Sequence, residues 1–167
     1  NSNDVSDQHG HGTHISGIIC STTSQAHVMI LKYFDSQSPA GQNLKNTIRA
    51  IQYATQMGAR LINYSGGGRL ASTEEAKAIQ MAGEKNILFI AAAGNEKSDS
   101  DLTPFFPADY DLPNIISVTA IDARERVLPS SNFGVRTVDI AAPGLNIRST
   151  APGGGFDVMT GTSQATA

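Results

Sequence analysis

Short apolar runs alternate with amphipathic stretches over the first 120 residues of the chain. Val28-Met29-Ile30-Leu31, Leu61-Ile62-Asn63-Tyr64 and Ile87-Leu88-Phe89-Ile90 each predict a strand, as does Ile115-Ile116-Ser117-Val118-Thr119-Ala120, with Val138-Asp139-Ile140 a shorter candidate. The first three are largely apolar on both faces, which suits strands of a parallel sheet covered by helices on either side. Residues 44–57 set Leu44, Ile48, Ile51 and Ala54 on one face of a helix that Gly58 stops. A second helix over 73–85 follows Ser72, with Ser72-x-x-Glu75 as a capping box and Ala76, Ile79, Ala82 and Gly83 as a small packing face. Strand, helix, strand, helix, strand predicts an α/β fold, a three-layer, doubly wound, mostly parallel sheet.

The second half reads differently. Pro104, Pro107, Pro113, Pro129, Pro143 and Pro152 punctuate it, and Gly153-Gly154-Gly155 comes near its end. This predicts functional loops on the rim of the sheet, not a second domain. The 167 residues suffice for one core, so residues 1–167 read as a single domain or part of one. A net charge of −3 with no dominant Lys/Arg cluster argues against a nucleic-acid partner. No apolar run nears the roughly 20 residues of a membrane span. The polar opening Asn1-Ser2-Asn3-Asp4 carries no signal-peptide pattern. Cys20 excludes an internal disulfide by being alone, and its place after Ile18-Ile19 predicts a buried thiol.

Three polar residues stand out against this frame. Ser163 follows Gly161-Thr162 and precedes small residues that can start a helix, where free N–H groups favour developing negative charge. A serine hydroxyl needs a base, and His11 in His11-Gly12-Thr13-His14 is the candidate. The spacing of His9, His11 and His14 lacks the i, i+4 pattern and glutamate of a zinc helix, so no metal is expected there. Gly10, Gly12 and Gly17 permit close approach of another backbone. Asn95 follows the strand ending in Ala91-Ala92-Ala93-Gly94, where an amide can donate to an oxyanion or simply make a turn. Ser65-Gly66-Gly67-Gly68 ends another strand and offers bare backbone to an extended peptide.

Together these motifs resemble the subtilisin-like serine proteases. His11-Gly12-Thr13-His14, Asn63-Tyr64-Ser65-Gly66-Gly67, Ala92-Ala93-Gly94-Asn95 and Gly161-Thr162-Ser163-Gln164-Ala165-Thr166 occur in the family's order, with Phe106-Pro107-Ala108 and Ala142-Pro143-Gly144 in the same frame. The resemblance spans essentially the whole chain. It implies a serine endopeptidase with Ser163 as nucleophile, His11 as general base and Asn95, with the Ser163 N–H, as oxyanion hole. It also implies that Ser65, Gly66 and Gly67 form one wall, and Ala92, Ala93 and Gly94 the other, of the pocket for the residue before the cleaved bond.

Departures from the family pattern set further expectations. The family's acid lies in an Asp-Ser/Thr-Gly motif before the histidine, and neither Asp4 nor Asp7 has that context, so both are expected to be solvated loop acids. The chain is therefore expected to be a partial peptidase domain, lacking the acid's segment and the rest of the Ser163 helix, and inactive alone. The alternative is a non-catalytic relative that binds peptides. No cofactor is implied, and Ser21-Thr22-Thr23-Ser24-Gln25-Ala26 is too short and carboxylate-poor for the family's calcium loop. Glu96, Asp99 and Asp101 are expected to form a solvated, substrate-facing acidic rim, tolerant of basic substrates, and Phe105 to narrow the primary pocket. A protein or peptide substrate, a removable pro-segment and an extracellular or cell-envelope location follow from the resemblance alone.

Overall fold

The computed structural model describes residues 4–23, 25–39 and 41–167. Elements follow in the order α1 (His11–Thr22), α2 (Gln42–Gln56), β1 (Leu61–Tyr64), α3 (Thr73–Gly83), β2 (Leu88–Ala92), β3 (Ile115–Ile121), β4 (Ile140–Pro143), β5 (Ile147–Ala151), β6 (Gly155–Met159) and α4 (Thr162–Thr166). The first four strands form one parallel sheet in the order β1-β2-β3-β4. Strand alternation sends side chains to two cores. Phe89, Ala91 and Ile115 pack with Ile51 of α2 and Ala78 and Ile79 of α3, while Val118 and Ala120 pack with Leu128 and Ala165 of α4. The fold is thus the three-layer α/β arrangement expected.

Register positions the functional loops. Tyr64 pairs with Ala91, so β1 and β2 end side by side at the C-terminal edge of the sheet. Ser65–Gly68 and Ala93–Asn95 leave from adjacent points there, where ligands of open α/β sheets bind.

Several local features differ from the sequence expectation. Val28–Leu31 is not a strand: it joins no ladder among the described residues, and Val28, Met29 and Ile30 are 37%, 42% and 45% exposed. An apolar run becomes a strand only where a neighbour can take its N–H and C=O groups. Cys20 is exposed, because it sits on the outer side of α1. β4 starts at Ile140, with the Asp139 carboxylate accepting from Ser117 N (2.8 Å) at its entry. Only half of the capping box forms. Glu75 N donates to Ser72 Oγ (3.2 Å), but Ser72 N donates instead to the Tyr110 hydroxyl (2.7 Å), which lies 3.0 Å from the Glu75 carboxylate. Burial raises the Glu75 pKa, against the Tyr110 hydrogen bond. The β5–β6 hairpin was missed, although its Gly153-Gly154 turn, with both residues at positive φ, was readable in the sequence. Ser24, inside the loop assessed for calcium, lies outside the described residues.

Candidate active site

The histidine end of the site is built by Asp7. Its carboxylate accepts from the backbone of His9 (3.0 Å), Gly10 (2.8 Å) and Thr13 (2.8 Å) and from the Thr13 hydroxyl (2.7 Å). The Gly10 and Thr13 N–H groups are among those that a helix leaves unpaired at its start, so Asp7 caps α1 and fixes where His11 emerges. It is therefore not the solvated loop acid expected. Burial works against its charge, but the Gly10, Thr13 and His9 donors outweigh that and pull its pKa down to about 2. Gly10, at φ 93°, makes the left-handed step into the helix.

Behind His11, the buried His14 donates from Nε2 to the Ile147 carbonyl (3.0 Å), and Ser149 Oγ donates to the His14 carbonyl (2.7 Å). A Cβ on Gly17 would collide with Ser149 and Thr150, so the backbone that this glycine admits is β5 of the same chain. His11 is half-buried. Desolvation lowers its pKa below the usual histidine value, helped by His9 and His14 and opposed by Asp7. The shift favours the neutral imidazole, the form a base must have.

At the serine end, Gly161 N donates to the Gly144 carbonyl (2.9 Å) and Thr162 N donates to Asn95 Oδ1 (3.0 Å). Ser163 and Ser65 are tied reciprocally. Ser163 Oγ donates to the Ser65 carbonyl (3.2 Å), and Ser65 Oγ donates to the Ser163 carbonyl (2.9 Å). Ser163 thus bonds Ser65 directly, and Asn95 bonds Thr162, the residue before Ser163. Helix α1 contacts α4, but among the described residues no hydrogen bond links His11 to Ser163 and no carboxylate bonds His11. With Oδ1 held by Thr162, the exposed Asn95 amide has its Nδ2 left without a partner among the described residues.

Asn132 is the residue that sequence reasoning missed. It is 1% exposed, and its Oδ1 accepts from Glu96 N (2.9 Å) and Ser98 N (3.1 Å). Its Nδ2 donates to the Ala93 carbonyl (2.7 Å) and the Glu96 carboxylate (2.8 Å), and its backbone N donates to the Gly94 carbonyl (2.9 Å). One amide thus clamps the loop that carries Gly94 and Asn95. Nothing in the sequence distinguishes it from a turn residue between Pro129 and Gly134.

The acidic rim is also corrected. Glu96 is held by Asn132, and Asp99 Oδ1 accepts from Asp101 N (3.0 Å). Asp101 accepts from the backbone of Val135, Arg136 and Thr137 and from the Thr137 hydroxyl. These acids brace loops because backbone N–H groups outcompete solvent for their oxygens.

The Subtilase family model matches residues 1–167. A thermophilic serine proteinase of Bacillus sp. (strain AK1) is 35% identical across 99% of this chain and 42% of its own length. The major intracellular serine protease of Bacillus subtilis (strain 168) is 31% identical across 96% of this chain and 53% of its own. Among solved structures, a cold adapted subtilisin-like serine proteinase superposes with a TM-score of 0.80 at 30% identity, covering 99% of this chain and 60% of that one. The chain spans about half the length of both Bacillus relatives. With the whole sequence matched by the family model and the sheet, helices and loops in the same arrangement, the chain belongs to the subtilase family.

Proposed function

We propose that the protein containing this chain is a serine endopeptidase, with residues 1–167 forming part of its catalytic domain. Ser163 Oγ attacks the scissile carbonyl, His11 takes the hydroxyl proton and returns it to the leaving amine, and water then hydrolyses the ester on Ser163. The Asn95 Nδ2 and the Ser163 N–H stabilise the oxyanion. The observation that carries this reading is the bond from Thr162 N to Asn95 Oδ1, which turns the donor end of the amide free beside Ser163.

The substrate runs extended along Ser65 and Gly67. Gly68 spends its N–H and C=O on Phe106, and strand alternation directs those of Ser65 and Gly67 to the opposite edge. The Ser65 carbonyl, now accepting from Ser163, is then the acceptor for a substrate N–H. Ser65, Gly66 and Gly67 face Ala92, Ala93 and Gly94 as the two pocket walls.

The 167-residue chain alone is proposed to be inactive, because no carboxylate among the described residues orients His11. A peptide-binding relative without catalysis is the second reading, favoured by the Ser163 hydroxyl bonding Ser65 and not His11. A pro-segment remains part of the proposal. The extracellular or cell-envelope location is not carried over, since one relative is named an intracellular protease. Diisopropyl fluorophosphate should modify the full-length protein at Ser163, with labelling abolished in S163A. An unmodified Ser163 would reject the peptidase in favour of the binder.

A further inference from the structure

Phe105 occupies the slot between the two glycine-lined walls. A Cβ built on Gly67 would run into the edge of the Phe105 ring, and a Cβ on Gly94 would lie 3.0 Å from the same ring. One aromatic side chain therefore touches both walls at the point where each lacks a side chain, and it is 7% exposed.

Its position is enforced from both sides. Phe106 N donates to the Gly68 carbonyl (2.7 Å) and Gly68 N donates to the Phe106 carbonyl (2.8 Å), an antiparallel bridge that fixes the segment carrying Phe105 against the Gly67-Gly68 wall. Phe105 N donates to the Asp109 carboxylate (2.6 Å), and Asp109 N donates back to the Phe105 carbonyl (3.0 Å). On the far wall, Gly94 sits at φ 103° and is held by Asn132, so neither wall can retreat cheaply to make room.

Resting on the peptidase reading, we propose that Phe105 is the specificity-determining residue of this protein, filling the primary pocket so that only glycine, alanine or serine is accepted immediately before the cleaved bond. The Glu96 carboxylate near Gly94 adds no selection for basic side chains, because Asn132 engages it and the ring closes the path to it. The slot acts by steric exclusion. The ring takes the volume that a large substrate side chain needs, and packed walls do not yield to such volume.

The test compares kcat/KM of the full-length protein on two peptides that differ only in alanine or phenylalanine before the scissile bond. The unmodified protein should favour alanine by about 10-fold or more, the scale on which pocket shape discriminates. F105A should raise kcat/KM for the phenylalanine peptide at least about 10-fold while altering the alanine peptide far less. F105L, a smaller change in volume, should fall between the two and stands in if F105A does not fold. Equal turnover of both peptides by the unmodified protein overturns the inference. So does an unchanged ratio in a variant still labelled at Ser163. Failure to cleave either peptide, with Ser163 unlabelled, overturns the peptidase reading itself and the pocket with it.

Discussion

Two apolar runs of similar composition meet opposite ends in this molecule. Leu88–Ala92, in the run that begins at Ile87, is β2, bonded to β1 and β3, with Phe89 and Ala91 0% exposed. Val28–Leu31 is just as apolar, yet it joins no strand ladder among the described residues, and Val28, Met29 and Ile30 are exposed. What differs is the presence of neighbours, since both runs have β-forming residues at hand. The loops that follow repeat the contrast. Ala93–Ser100 is laced to residues 130–133 by Asn132 and by backbone bonds such as Lys97 N to the Ser130 carbonyl (3.1 Å). Residues 25–39 are tied to the rest of the chain by side-chain bonds, among them Lys32 Nζ to the Ser6 carbonyl (2.9 Å) and Asn46 Nδ2 to the Tyr33 carbonyl (3.1 Å). Rigidity here is concentrated where the candidate chemistry is.

Removing the clamp is the strongest way to erase that difference. N132A strips the acceptor from the Glu96 and Ser98 N–H groups, which water can partly reach, and the donor from the buried Ala93 carbonyl. A buried group left unpaired costs about 1–3 kcal/mol and less where water replaces the partner, so a loss of roughly 3–5 kcal/mol, the lower part of the three-group sum, is expected by denaturant unfolding. Labelling of Ser163 by fluorophosphonate should slow as Asn95 loses its position. N132D keeps the acceptor but sets a second oxygen against the Ala93 carbonyl and the Glu96 carboxylate, so it should not rescue either quantity. Near-unchanged stability in N132A would show that the loop holds its shape without the clamp.

The clamp also marks where sequence reading stops. Helices α2 and α3 and strands β1 to β3 were legible because periodicity is a local signal. Ser163, Asn95 and Ser65 stood out only through the resemblance of their ordered motifs to a family, each motif alone reading as a turn. Asn132 was not legible, because its four side-chain bonds reach back more than 30 residues to a loop whose path depends on the sheet register. Asp7 was misread for a related reason. Its neighbours Gln8, His9 and Gly10 look solvated, and only the turn through Gly10 brings it over the first N–H groups of α1. Val28–Leu31 erred the other way, since composition reports a capacity for strand and says nothing of who pairs with it.

A middle-sized effect should come from the α1 cap, which fixes where His11 emerges. D7A removes an acceptor of four hydrogen bonds, and loss of such a cap costs about 1–2 kcal/mol. The folded pKa of Asp7, about 2, lies below its ordinary value of 3.8. Its contribution is therefore complete above pH 3.8 and is lost as pH falls toward 2. Stability measured across that window should decline less steeply in D7A than in the unaltered protein. Parallel curves would mean that the carboxylate's charge contributes nothing to the cap.

The smallest expected effect decides whether the contrast belongs to this chain alone. Ile30 is 45% exposed and has no ladder partner among the described residues. In the 167-residue chain I30S should change unfolding free energy by no more than about 0.5 kcal/mol, as surface substitutions do. The same substitution in the full-length protein is the sharper measurement. A loss there of about 1.5–3 kcal/mol, the value of burying such a side chain, would mean that another segment covers Val28–Leu31 and supplies the neighbour it lacks. A loss as small as in the isolated chain would make the exposed run a property of the whole protein, and the two apolar runs would then differ only in that one has strand neighbours and the other has none.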